Sequence, residues 1–166
     1  MNKATLCLIT IGFLLNACCS ENFIIPTKDF RETAIDVTDL INDCSADEEF
    51  TTLSETTAGE AGSCWGISGS VSSRWFKFKA PVSTDATIIV QIGDEYGTQR
   101  KSLMALWDTD GTTELDCSTY SIFGTDDVTI NIYYGNLTPD AWYYFSVAAA
   151  DSQSRGTFTL CLTDTD

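Results

Sequence analysis

Short β-rich runs, each closed by turn residues, recur along most of this sequence and limit the folds open to it. Val128–Tyr134 is the clearest, because its aliphatic residues fall at every second position. Such alternation indicates a strand with one face in a core. The other runs are Arg74–Lys79, Ala86–Ile92, Ser102–Trp107, Glu114–Ser118, Trp142–Ala148 and Gly156–Leu162. With no long amphipathic helix between them, these runs predict an all-β sandwich or barrel.

The N-terminal residues predict export. Within Met1–Ala17, Lys3 precedes an apolar run, Ala4–Leu15, that is long enough for a signal peptide and too short to span a bilayer. The exit, Leu15-Asn16-Ala17-Cys18, resembles a bacterial lipoprotein signal, which implies a lipid anchor on Cys18. The expected location is then the bacterial outer membrane or cell surface. Cleavage a few residues later would instead release a secreted protein.

The rest of the chain has the size of one domain. We predict that residues 18–41 form a tether and a lead-in, and that residues 42–166 form the β domain. Asp29–Ile41 fits either an edge strand or a short helix.

Four cysteines lie inside that domain: Cys44, Cys64, Cys117 and Cys161. An even number in an exported chain predicts two disulfides, with three possible connectivities. A zinc site is the weaker reading, since there is no CxxC spacing and no histidine. The first and last strands of a sandwich often lie side by side. We therefore favour Cys44–Cys161, which leaves Cys64–Cys117.

The charge balance excludes some partners. The chain has 24 acidic and 9 basic residues, a net charge of −15 at pH 7. Such a surface repels nucleic acid and anionic headgroups. The absence of histidine removes the usual general base for a serine or cysteine nucleophile, so we do not expect an enzyme. A carboxylate pair, as in glycoside hydrolysis, remains the open catalytic alternative.

An acidic stretch after the third run is a candidate calcium site. Asp108, Asp110, Glu114 and Asp116 surround Gly111, and calcium prefers six to eight oxygen ligands. Asp126 and Asp127 could add ligands from another loop. The alternative is a polar hairpin turn in which Asp and Gly serve the backbone geometry.

Aromatic residues are candidate ligand contacts. If Phe76, Phe78, Tyr143 and Phe145 face the core, alternation turns Trp75, Trp142 and Tyr144 outward, with Trp75 on the same face as Lys77 and Lys79. Exposed rings could stack on sugars or anchor a protein. Packing between layers would explain them equally well, and Trp65 and Trp107 share this ambiguity.

Eight short motifs follow one another over residues 42–163, and their order and spacing are like those of a known family. They are Asn42–Ala46, Thr57-Ala58, Trp75–Pro81, Leu106–Asp108, Leu115–Cys117, Leu137–Pro139, Trp142–Val147 and Gly156–Cys161. Together they resemble the bacterial pre-peptidase C-terminal domain. The resemblance implies a jelly-roll-like antiparallel β-sandwich, an accessory module with roles in substrate binding, adhesion or secretion. Asp140 stands where that family usually has Gly.

These observations predict a non-catalytic exported surface module for binding or adhesion, with a glycan or a protein as its ligand. A small glycan-acting hydrolase built on paired carboxylates and a purely structural display subunit are the alternatives.

Overall fold

The computed structural model describes residues 30–53, 58–67, 71–93, 95–121 and 127–165. The predicted signal peptide, Cys18 and the first part of the tether lie outside these residues. So do Thr57 and Asp126, which were assigned to a motif and to the calcium hypothesis.

The described chain is nearly all β. A short helix, α1 (Phe30–Thr33), opens it, and 3-10 turns cover Thr38–Leu40 and Ser63–Trp65. The short strands are β1 (Ile35–Asp36), β2 (Asp43–Cys44), β3 (Phe50–Thr51) and β4 (Ala58–Gly59). The longer strands are β5 (Val71–Lys79), β6 (Ala86–Ile92), β7 (Lys101–Trp107), β8 (Glu114–Ser121), β9 (Val128–Tyr134), β10 (Trp142–Ala149) and β11 (Thr157–Asp164).

The predicted runs correspond to the long strands. The bounds of β6 and β9 are those predicted, and the others differ by a few residues at most. The lead-in Asp29–Ile41 contains both of its alternatives, because α1 is followed by the short edge strand β1.

Within the described residues the strands form two sheets packed as a sandwich, as predicted. The large sheet has the order β1-β5-β10-β7-β8, with β4 also paired to β5. The small sheet has the order β3-β11-β6-β9. β1 joins β5 in parallel, and the long strands pair with one another antiparallel. The described residues contain no helix that could span a bilayer.

Phenylalanine rings fill the space between the sheets. Phe76 stacks on Phe145 with ring centroids 4.9 Å apart, and Phe50 meets Phe76 edge-on at 5.0 Å. Phe158 from the small sheet contacts both Phe50 and Phe76. Burying a side chain of this size contributes about 1.5–3 kcal/mol, so this cluster is a main source of stability.

A buried amide ties the loops together at one end of the sandwich. Gln99 is fully buried, and its Oε1 accepts a hydrogen bond from the Thr52 hydroxyl at 2.8 Å. Its Nε2 donates to Ser102 Oγ at 2.8 Å and to the Ala148 carbonyl at 3.2 Å. The amide is therefore satisfied, as a buried polar group must be.

Both predicted disulfides are present. Cys44–Cys161 joins β2 to β11, and Cys64–Cys117 joins the second 3-10 turn to β8. The favoured connectivity is thus confirmed, because the entry and exit strands are neighbours as expected for a sandwich.

Replacing either cysteine pair with serine should lower the free energy of unfolding. Cys44–Cys161 spans 117 residues and Cys64–Cys117 spans 53. On the chain-entropy model these bonds contribute at most about 5 and 4 kcal/mol, so loss of Cys44–Cys161 should cost more. Urea unfolding of the two double variants measures both losses, and Ser118→Ala on β8 is a control. Equal stability with and without reductant would contradict the prediction.

Candidate functional site

Residues 58–67, which we call the flap, cross the outer face of the large sheet. At one side β4 pairs with Val71 and Ser72 of β5. At the other side Cys64 is bonded to Cys117 on β8, and the Ser63 amide donates to Glu114 Oε2 at 2.7 Å. The flap is therefore held at both ends.

The flap buries a second aromatic cluster against this face. Trp65 from the flap, Trp75 and Trp107 are 6%, 4% and 2% exposed, and Trp75 stacks on Trp107 at 5.6 Å. Each indole N–H donates internally: Trp65 to the Met104 carbonyl, Trp75 to Ser73 Oγ and Trp107 to Ser146 Oγ. The cluster is a satisfied core.

The prediction that Trp75 is accessible to a ligand is therefore wrong, because its ring is buried. Trp107 is buried as well, so the prediction that it contacts a ligand is also wrong. Trp75 does lie on the face opposite Phe76 and Phe78, but that face is not open at this point. Alternation identifies the face of a strand and carries no information about a segment that covers it.

The part of the outer face next to the flap carries a block of two lysines and two aromatic residues. Across the β5–β10 pair, Lys77 lies opposite Tyr144 and Lys79 lies opposite Trp142. The Lys77 and Lys79 Nζ atoms lie 5.0 Å and 5.4 Å from the centroid of the Trp142 ring. Trp142 and Tyr144 are half-buried, and Lys79 is exposed. We call these four residues the lysine–aromatic patch.

The lead-in fixes the border of this patch. Asp36 of β1 lies beside Lys77 in the register, but its Oδ1 accepts hydrogen bonds from the Thr38 amide at 3.1 Å and the Thr38 hydroxyl at 2.7 Å. The Thr38 hydroxyl oxygen in turn accepts from the Lys79 amide at 3.1 Å. These hydrogen bonds hold the backbone of β5 and engage one carboxylate oxygen of Asp36.

The acidic stretch forms the turn between β7 and β8. Asp110 accepts from the amides of Thr112 and Thr113 at 2.7 and 2.8 Å and from the Thr113 hydroxyl. These bonds, the Thr113 amide foremost, hold the pKa of the Asp110 carboxyl well below its usual range. Asp110 thus serves the geometry of the turn.

The other predicted calcium ligands point to different partners. Asp108 accepts from the Thr109 amide, Glu114 binds the flap through Ser63, and Asp116 accepts from the Cys117 amide. Asp127 accepts from the Glu95 amide, away from this turn. Among the described residues, no three acidic or cysteine side chains are grouped so that they could hold a metal ion. Calcium binding stays a prediction.

The comparisons with known proteins add no family. No protein-family model matches the chain, and no curated protein is similar enough to count as a relative. The resemblance to the pre-peptidase C-terminal domain therefore rests on the motifs alone. Asp140, where that family usually has Gly, adopts φ = 61°, a left-handed conformation that Gly favours.

Lys77 and Lys79 are the members of the patch that sequence did not single out as site residues. A signal was present, because both alternate with Phe76 and Phe78 on a strand that was predicted. What was missing was the register with β10, which places them over Trp142.

Replacing Trp75 or Trp142 with alanine should lower the free energy of unfolding by different amounts, because only Trp75 is fully buried. Trp75→Ala removes a buried ring and should cost about 3–5 kcal/mol of unfolding free energy. Trp142→Ala should cost less, about 1 kcal/mol, because its ring is only half-buried. Urea unfolding followed by circular dichroism measures both. Equal losses would mean that the flap does not cover Trp75.

Asp110→Ala should destabilise the protein in a pH-dependent way. The folded pKa is depressed, so the contribution of the carboxylate is present above the ordinary pKa of 3.8 and is lost as pH falls toward the folded value. The difference in melting temperature from wild type should be clear at neutral pH and should shrink near about pH 2. Asp110→Asn, which keeps an acceptor oxygen, is the control. A difference that does not change with pH would refute this account of the turn.

Proposed function

We propose that this chain is a non-catalytic, exported module that binds a glycan through the lysine–aromatic patch. A protein ligand on the same patch is the second candidate. The observation that carries the proposal is the pair of half-buried rings, Trp142 and Tyr144, on one face of β10 beside two lysines.

The position of the patch favours recognition. β10 lies inside the large sheet, paired on both sides with β5 and β7. Rings on such a strand are held by their neighbours and lose little freedom when a ligand binds. Flat aromatic faces stack on the apolar C–H face of a sugar ring, and tryptophan offers the largest such face.

The proposal of a binding module over an enzyme is supported by composition and by the contacts of the acidic residues. The chain has no histidine. Asp36, which lies beside Lys77 in the register, and Asp110, in the turn after β7, accept hydrogen bonds from their own turns. Carboxylates fixed in this way are poorly placed to exchange protons with a substrate.

The proposed location follows from the N-terminal residues. Met1–Ala17 would direct export, and a lipid on Cys18 would hold the domain at the outer membrane or cell surface. Residues 18–41 would then tether the domain. The similarity to the pre-peptidase C-terminal domain agrees with an adhesive or accessory role outside the cell.

A glycan array tests this proposal. We expect the disulfide-bonded protein to bind at least one glycan class without releasing reducing ends. Trp142→Ala should weaken that binding by about tenfold or more, because the stacking surface is lost. Tyr133→Ala is the matched control, since Tyr133 is an exposed ring (56%) on the small sheet. Repeating the array with calcium or a chelator tests whether the ion takes part.

Three outcomes would count against the proposal. Turnover of a bound glycan would favour a hydrolase. An equal loss of glycan binding in the Trp142→Ala and Tyr133→Ala variants would mean that the patch is not the binding site. Silence on the whole array would favour a protein ligand or a structural display subunit.

A further inference from the structure

The lysine–aromatic patch has the opposite charge to the chain as a whole. The ammonium groups of Lys77 and Lys79 lie within 5.4 Å of one Trp142 ring, in a chain with a net charge of −15. We propose that the patch recognises a sugar ring that bears an anionic group, as in a uronic-acid or sulfated polysaccharide. This inference rests on the proposed function and specifies the class of glycan.

The ammonium groups of Lys77 and Lys79 lie beside the same Trp142 ring. Within the described part of the chain, neither lysine has a carboxylate in ion-pair contact, although Lys101 pairs with Asp151 at 2.9 Å. The closest acidic neighbour in the register, Asp36, is turned toward Thr38. Two like charges beside one ring repel each other, and an anion that contacts both would relieve this repulsion.

The patch combines aromatic rings with positive charge, and an acidic sugar combines an apolar face with negative charge. The apolar face of the sugar can lie against an aromatic ring while the anionic substituent of the sugar accepts a hydrogen bond from an ammonium group. Contact between an exposed ammonium and an indole is weak, so the flexible lysine can turn from the ring to the ligand.

A lysine acts as a point charge, so it does not by itself choose between carboxylate and sulfate. The probes must separate these two sources of charge. Polygalacturonate carries carboxylates, and its fully methyl-esterified form keeps the same sugar chain without charge. Dextran sulfate and dextran form the corresponding sulfate pair.

The experiment measures binding of the disulfide-bonded protein to these four polymers by calorimetry. We expect at least one anionic polymer to bind about tenfold or more tightly than its neutral counterpart. Added salt should weaken this binding, because Lys79 is exposed and Lys77 is only partly buried. Which anionic polymer binds identifies the group.

Charge-neutralising variants test the lysines. Lys77→Gln with Lys79→Gln keeps Trp142 and should abolish the preference for the anionic polymer. Lys101→Gln with Arg155→Gln removes the same charge near the start of β7 and before β11, and should leave the preference intact. Near-ultraviolet circular dichroism checks that both variants are folded.

The outcomes separate this inference from the proposed function. Binding of neutral and anionic polymers with equal affinity, unchanged by the Lys77 and Lys79 substitutions, would overturn the inference and leave a glycan-binding module. Equal losses in the two double variants would also overturn it, because total charge would then be responsible. No binding to any glycan, here or on the array, would overturn both.

Discussion

The pairing of β5 with β10 is the constraint on which the rest of the structure depends. In the observed register, Phe76 and Phe78 lie opposite Phe145 and Tyr143 on the inner face. The same register places lysines opposite aromatic rings on the outer face. A slip by one residue would exchange the two faces and expose the phenylalanines, so the core that packs against the small sheet also fixes the outer patch.

The flap covers tryptophan rings on the outer face of the large sheet that would otherwise be exposed to water. Trp75 and Trp107 would expose a large apolar area if the large sheet met water on that side. The flap covers them with Trp65 and is held by pairing to β5 and by the bond from Cys64 to β8. This disulfide therefore fastens a cover over a second core, whereas Cys44–Cys161 closes the sandwich itself. The flap also sets the limit of the patch, which begins where the cover stops.

The sequence allowed the long strands, the sandwich and both disulfides to be predicted, because alternation and chain order carry that information. It also placed Trp75, Lys77 and Lys79 on one face. It could not reveal that Trp75 is buried, since the flap has little periodicity and its strand, β4, is two residues long. Gln99 was missed for a similar reason: a lone amide in a loop looks solvated until Thr52, Ser102 and Ala148 are brought to it. The proximity of Lys77 and Lys79 to Trp142 depends on register between strands far apart in sequence.

A strongly acidic protein would be an unexpected receptor for an acidic glycan. The difficulty is resolved by the different ranges of the repulsion from the whole domain and the attraction to the two lysines. At physiological salt, exposed charges further apart than about 8 Å are largely screened, so most carboxylates of the domain act weakly on a ligand at the patch. The proposed lysine contacts would act over a distance shorter than this, so salt would weaken them without removing them. The acidic surface would still repel the polymer wherever the patch does not hold it. A basic patch on an acidic body would therefore favour binding at that patch and in a limited range of orientations, which would suit recognition better than general adhesion.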